Sequence, residues 1–157
     1  MTKASPIDEF LSQRCIAVAG VSRKPETEAG NLIYRKLRDV GYRVFSINPN
    51  ADMVEGDRCY ADLQSVPEKV DAVVIATQPA VADNLVLQCV DADVKRVWLH
   101  RSFGRGSVSQ SAVELCRQHR IAVIAGGCPL MFCKPVDFGH KCMRWVLGMM
   151  GKLNVGP

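Results

Sequence analysis

Several absences narrow this chain before any motif is considered. No apolar run approaches the roughly 20 residues of a membrane-spanning helix, so no membrane role is expected. The first six residues contain no apolar stretch of the kind that opens a secretory leader, which suggests a cytoplasmic protein with reduced thiols. Basic residues cluster only briefly, at Arg23 and Lys24 and at Arg101 with Arg105, and the net charge of +4 is mild. Nucleic acid is therefore not an expected partner. The seven cysteines include no Cys-x-x-Cys pair. Walker lysines and nucleophile elbows are also missing, as is any internal repeat or linker.

What is present is alternation. The 157 residues suit one domain, and 48% hydrophobic with 23% charged is a globular balance. Short apolar runs at 16–19, 42–47, 72–76, 96–99 and 121–125 lack an in–out pattern, as expected of parallel strands buried on both faces. Helical patterns fall between and around them, at 6–13, 29–40, 79–91, from Ser107 or Ser109 to 119, and at 142–150. In the second of these, Leu32, Ile33, Lys36, Leu37 and Val40 form a stripe, and Gly41 is placed to end the helix in a left-handed conformation. In the third, Val81, Leu85, Val86, Cys89 and Val90 share a side. Residues 52–62 read as a turn-rich connection around Glu55, Gly56 and Asp57. The expected fold is α/β, a Rossmann-like doubly wound parallel sheet of about five strands in a single domain. Its core would span about 10–130, with a helical extension over 131–157.

Such a sheet binds ligands beyond the carboxyl ends of its strands, where the strand order reverses. Four segments converge there. After the first strand, Gly20 permits close backbone approach, Val21 and Ser22 follow, and Arg23 and Lys24 add charge before a helix N-terminus, a combination suited to phosphate. A dinucleotide fingerprint would need glycines where Ser22 and Pro25 stand. NAD would also need an acid after the second strand, where the chain has Asn48 and Pro49. Thr77, Gln78 and Pro79 close the third strand and offer a hydroxyl and an amide, although a plain strand-to-helix turn reads the same way. The fourth loop begins at His100 and holds two arginines and two glycines, which can form an anion nest.

Three functional classes remain open on the residues alone. One is nucleotide-type ligand binding. A second is a small NAD(P)-dependent oxidoreductase on the same fold. A third is a metal- or redox-responsive regulator built on Cys128, Cys133, His140 and Cys142, which carry soft ligands at a spacing without a compact knuckle. The apolar terminal segment around Trp145 suits either core packing or a homodimer contact.

The chain resembles the small stand-alone CoA-binding proteins, which are similar to the CoA-binding domain of the succinyl-CoA synthetase alpha subunit. The resemblance rests on residues 16–22, on Gly41 to Val44 leading to Asn48 and Pro49, on Asp71 to Val74 with Pro79, on Val97 to Leu99, and on Gly127 to Pro129. It covers roughly residues 10–130. It implies a Rossmann-like domain that binds coenzyme A in the edge crevice, and the expected function is non-catalytic binding of coenzyme A or an acyl-CoA there. By position, Gly20, Val21, Ser22 and Lys24 would hold the pyrophosphate, and Asn48 and Pro49 would flank the adenosine. Thr77, Gln78 and Pro79 would line the remaining groove. Arg23 is a candidate for the ribose phosphate by its chemistry, and His100 is a further candidate contact. Many relatives carry Trp-Leu-Gln-x-Gly after the fourth strand, where this chain has Trp98, Leu99, His100, Arg101 and Ser102. The phosphohistidine domain of the synthetase has no counterpart here, so the ligase reaction does not follow.

Overall fold

Burial on both faces explains why the central runs form strands. In the computed structural model, which describes residues 3–24, 28–101, 106–136 and 138–151, every side chain of two of these runs is buried. The elements follow in order as α1 (Pro6–Leu11), β1 (Cys15–Ala19), α2 (Ala29–Asp39), β2 (Arg43–Ile47), β3 (Met53–Val54) and β4 (Asp57–Tyr60). They continue as β5 (Ala72–Ile75), α3 (Pro79–Asp91), β6 (Arg96–Leu99), α4 (Gln110–Gln118), β7 (Ala122–Ala125), a 3-10 turn (Pro129–Met131) and α5 (Phe138–Met149). Among the described residues, seven strands make one sheet in the order β3-β4-β2-β1-β5-β6-β7. All neighbouring pairs are parallel except β3 with β4.

Successive strand residues feed two cores. Ala17, Ile47, Val73, Ile75 and Leu99 pack with Leu85, Val86, Cys89 and Cys116 of α3 and α4. Ile16, Val18, Val74 and Trp98 pack with Phe10, Ile33, Leu37 and Leu147 of α1, α2 and α5. The Rossmann-like α/β class expected from the alternation is the one observed. The five expected strands correspond to β1, β2, β5, β6 and β7.

The two further strands come from the segment read as a turn-rich connection. It folds into a hairpin, with Glu55 at φ 52° and Gly56 at φ 81° in the tight turn, and β4 extends the sheet beside β2. Only Val54 and Cys59 of this hairpin are buried, too few to give a periodic signal.

Other departures concern helix faces. On α2 the buried side is Gly30, Asn31, Ile33, Tyr34 and Leu37, whereas Leu32 and Val40 lie at the surface. Val81 of α3 is exposed as well. α5 begins four residues before the expected start. Gly41 does follow α2 with φ 103°. Ser109 is the serine that caps α4, accepting the Ala112 N–H at 3.0 Å. Among the described residues no helix is long and apolar enough to cross a membrane.

Candidate functional site

From β1 the chain moves outward through β2 to β4, then returns to β5 on the other side of β1. The order therefore reverses between β1 and β5, and a crevice of about 560 Å³ opens there at the carboxyl ends. Gly20, Val21 and Ser22 line it after β1, Asn48 and Pro49 after β2, and Thr77 after β5. The first turn of α3 and the turns after it add Val81, Asn84, Leu85 and Gln88. A larger cleft of about 810 Å³ lies at the amino ends of β1 and β2, around Arg14, Tyr42 and Arg43. It is remote from the switch point, where this sheet topology places ligands.

Two glycines make the crevice floor. Gly20 has φ +98°, and a Cβ there would stand 2.2 Å from the Ala76 carbonyl oxygen. A Cβ on Gly30 would stand 2.4 Å from the Gly20 carbonyl oxygen. The helix start thus rests directly on the loop after β1, and β5 rests on that loop from the other side. Gly30 supplies the close helix packing that a dinucleotide fingerprint assigns to its last glycine.

Asn31, fully buried, fixes the loop. The Ser22 N–H donates to Asn31 Oδ1 at 2.7 Å, and Asn31 Nδ2 donates to the Ser22 carbonyl at 2.9 Å. The same amide nitrogen donates to Glu55 Oε1 at 2.7 Å, and Arg35 Nη1 holds that carboxylate at 3.2 Å. The β3–β4 hairpin therefore braces the loop through one buried side chain. Arg38 and Tyr34 reinforce it by donating to Asp57 Oδ2, each at 2.8 Å, and these bonds hold the Asp57 carboxyl below its usual range.

Three N–H groups of the loop after β1 are engaged within the protein. The Gly20 N–H donates to the Ile47 carbonyl at 3.3 Å, the Ser22 N–H to Asn31, and the Lys24 N–H to Ser22 Oγ at 3.1 Å. Ser22 lines the crevice, whereas the side chains of Arg23 and Lys24 are exposed and are not among its lining residues. The starts of α2 and α3, at Glu28 and Gln78, have no side-chain cap, whereas α1 and α4 are capped by serines. First-turn N–H groups without a cap favour an anion.

Asn48 is engaged on both sides of its amide. Its Nδ2 donates to the Val21 carbonyl at 2.8 Å, and its Oδ1 accepts the Asn50 N–H at 2.8 Å. It shapes the crevice wall where a dinucleotide fold would place an acid. Thr77 lines the crevice, while Gln78 is exposed and Pro79 turns the chain into α3.

His100 directly follows β6 and is not among the crevice lining residues. Its N–H donates to the Ile75 carbonyl and its own carbonyl accepts the Ser107 N–H, at 2.9 and 2.7 Å. Burial pulls its pKa down to about 4, so the imidazole is neutral at pH 7. Residues 25–27 and 102–105, including Pro25 and Arg105, lie outside the described residues.

Of the four cysteine and histidine positions of the metal reading, Cys128 and Cys133 share one buried core cluster. Cys128 and Cys133 are buried and Cys142 is exposed on α5. Among the described residues no three His, Cys, Asp or Glu side chains form a group able to hold a metal.

Sequence reasoning missed Gly30, Asn31, Val81, Asn84 and Gln88. The available signal was a broken helix rule. Asn31 falls on a buried face, and Val81 is an apolar residue on an exposed one.

A family model described as a CoA binding domain matches residues 14–134. An ADP-forming acetate–CoA ligase of Methanocaldococcus jannaschii is 26% identical over 119 residues, covering 73% of this chain and 17% of the ligase. The alpha subunit of ADP-forming acetate–CoA ligase II from Pyrococcus furiosus is 24% identical over 130 residues, covering 78% of this chain and 28% of the subunit. The chain thus spans less than a third of these ligases. Among solved structures, a conserved hypothetical protein of Pyrococcus furiosus superposes with TM-score 0.63 at 30% identity, over 73% of this chain and 94% of its own. The dinucleotide-forming acetyl-coenzyme A synthetase 1 of Ca. Korarchaeum cryptofilum, in complex with phosphate and ADP, gives TM-score 0.62 at 30% identity, over 71% and 25%. Because the family model covers most of its length, the chain belongs to the CoA binding domain family.

Proposed function

We propose that this chain binds coenzyme A or an acyl-CoA in the β1–β5 crevice and catalyses no reaction itself. The observation that carries this is the crevice-lining loop of Gly20 to Ser22, clamped by Gly30 and Asn31 at the switch point, with the exposed Arg23 and Lys24 following it directly. Ser22, Arg23 and Lys24 face the phosphates, and the uncapped starts of α2 and α3 add dipole ends. Asn48 and Pro49 flank the adenosine, and Thr77 with Val81 and Gln88 forms the groove for the pantetheine arm. NAD is disfavoured because no acid follows β2 and the Asn48 amide is engaged within the protein.

Chemistry by the side chains is disfavoured as well. His100 is a neutral group outside the crevice lining, and burial raises the thiols of Cys15, Cys89, Cys116 and Cys133 above their ordinary range. The ligases' reaction is not transferred to this chain, and a cytoplasmic location with reduced thiols fits the cysteine usage.

Calorimetric titration with coenzyme A, and with NAD and NADP as controls, tests the proposal. Saturable binding of coenzyme A, weakened about tenfold by Arg23→Ala or Lys24→Ala, supports it. Binding of NAD or NADP alone overturns it, and acyl transfer dependent on His100 or Cys128 overturns its non-catalytic part.

A further inference from the structure

α5 is apolar on two opposite sides. Inward, Leu147 is buried and Met143 packs against the same core. Outward, Phe138, Cys142, Trp145 and Met149 repeat at spacings of four, three and four, which aligns them along one face of a helix. Phe138 is 81% exposed, Trp145 67% and Met149 70%. With roughly 150–250 Å² per aromatic side chain, the seam and its neighbours Val146 and Met150 present on the order of 500 Å² of apolar surface. That lies at the upper range for the largest patch of a monomer and supplies more than half of the roughly 800 Å² that each partner buries in a standard interface.

We propose that this face is an isologous interface at which two copies of the chain pack α5 against α5. The patch is self-complementary in form. Trp145 is its knob, and beside it Gly148 leaves a notch in a depression of about 740 Å³ that Trp145, Met149, Lys141 and Arg144 also border. A two-fold axis places the knob of each copy at the notch of the other, the pairing that an isologous contact requires. Lys141 and Arg144 flank one side of the seam and form a polar rim, and Arg144 lies over the Phe132 ring at 4.5 Å from its centroid. Lys134, Lys141 and Arg144, the three basic residues that border the depressions along α5, fall short of the four to eight, roughly, that anionic lipid surfaces recruit. The depression beside α5 and the β1–β5 crevice share no lining residue, so the proposed contact does not use the crevice.

The test is molar mass by light scattering and sedimentation over about 1–200 μM protein, without coenzyme A. It is independent of ligand binding, so its failure and the failure of the CoA proposal are separable. The expected mass approaches twice 17.3 kDa as concentration rises. The chain has two tryptophans, and Trp98 is fully buried, so a blue shift of emission on association reports Trp145. Trp145→Glu and Met149→Lys alter exposed side chains, and each is expected to weaken association by about 100-fold with unchanged far-UV circular dichroism. A wild-type mass of 17.3 kDa at the highest concentration overturns the proposal. So does a dimer that survives both substitutions. An emission shift that appears only with vesicles of phosphatidylcholine and phosphatidylglycerol, at about 7:3, overturns it in favour of a lipid surface.

Discussion

Gly30→Ala sets two opposing effects against each other at the floor of the crevice. In an ordinary helix the change stabilises by about 1 kcal/mol, because alanine has less backbone entropy to lose. Here the new Cβ would stand 2.4 Å from the Gly20 carbonyl oxygen, 2.8 Å from its carbon and 3.2 Å from the Val21 nitrogen. All three are backbone atoms, so no side chain can swing aside. Relief requires the loop and α2 to separate by about 0.5–1 Å, a strain of about 1–3 kcal/mol. The same movement stretches the Asn31 bonds to Ser22, now 2.7 and 2.9 Å, each contributing about 1 kcal/mol. The clash and the stretched bonds outweigh the helix gain, leaving a net loss of about 1–3 kcal/mol. For a chain of this size that lowers Tm by about 3–10 °C. Displacement of Ser22 should also weaken coenzyme A binding by about tenfold or more, equivalent to about 1.4 kcal/mol. Gly41→Ala is the control: its φ of +103° makes it strained, but nothing lies within 4 Å of the added Cβ, so it costs stability without touching affinity. Thermal melts and calorimetry of both variants decide the matter. A Gly30→Ala protein that melts at or above wild type, or loses no more affinity than Gly41→Ala, refutes the reasoning.

Three further outcomes are expected. Asn31→Ala leaves the Ser22 N–H without its acceptor and removes a donor from Glu55, costing about 2–4 kcal/mol in urea unfolding and weakening coenzyme A binding in the same protein. His100 has a folded pKa of about 4 against about 6.5 unfolded, so its contribution is complete above pH 6.5 and is lost as pH falls toward 4. The loss is on the order of 3 kcal/mol, and His100→Gln should show a flatter decline in unfolding free energy over that window. Glu55→Gln keeps an acceptor for Asn31 but gives up the charge facing Arg35, so its coenzyme A affinity should stay closer to wild type than that of Glu55→Ala, as paired titrations would reveal.

The parts of this molecule that were legible in the sequence are those where local pattern and tertiary burial coincide. The runs of β1 and β5 are buried on both faces, so apolar content alone marks them. Gly41 ends α2 with a positive φ, and Asn48 with Pro49 closes β2 onto the crevice, both read from residue type. The β3–β4 hairpin was not legible, because its position depends on bonds from Asn31, Arg35 and Arg38 of α2 and not on its own hydrophobicity. Likewise, the role of Gly30 exists only once α2 is docked on the loop after β1, a contact no local spacing encodes. Some broken local rules stand singly, as at the exposed Leu32, Val40, Met53 and Leu87, but two groups recur at one place each. A buried amide at Asn31 and an exposed valine at Val81 both belong to the crevice or its brace, and an exposed Phe138, Trp145 and Met149 all lie on α5. Asn31 is used within the fold to fix the loop after β1, whereas a row of exposed apolar side chains does nothing for the core. These two groups are where the proposals stand, a small anionic ligand at the crevice and a second copy at α5, and the titration and the molar-mass measurement test them separately.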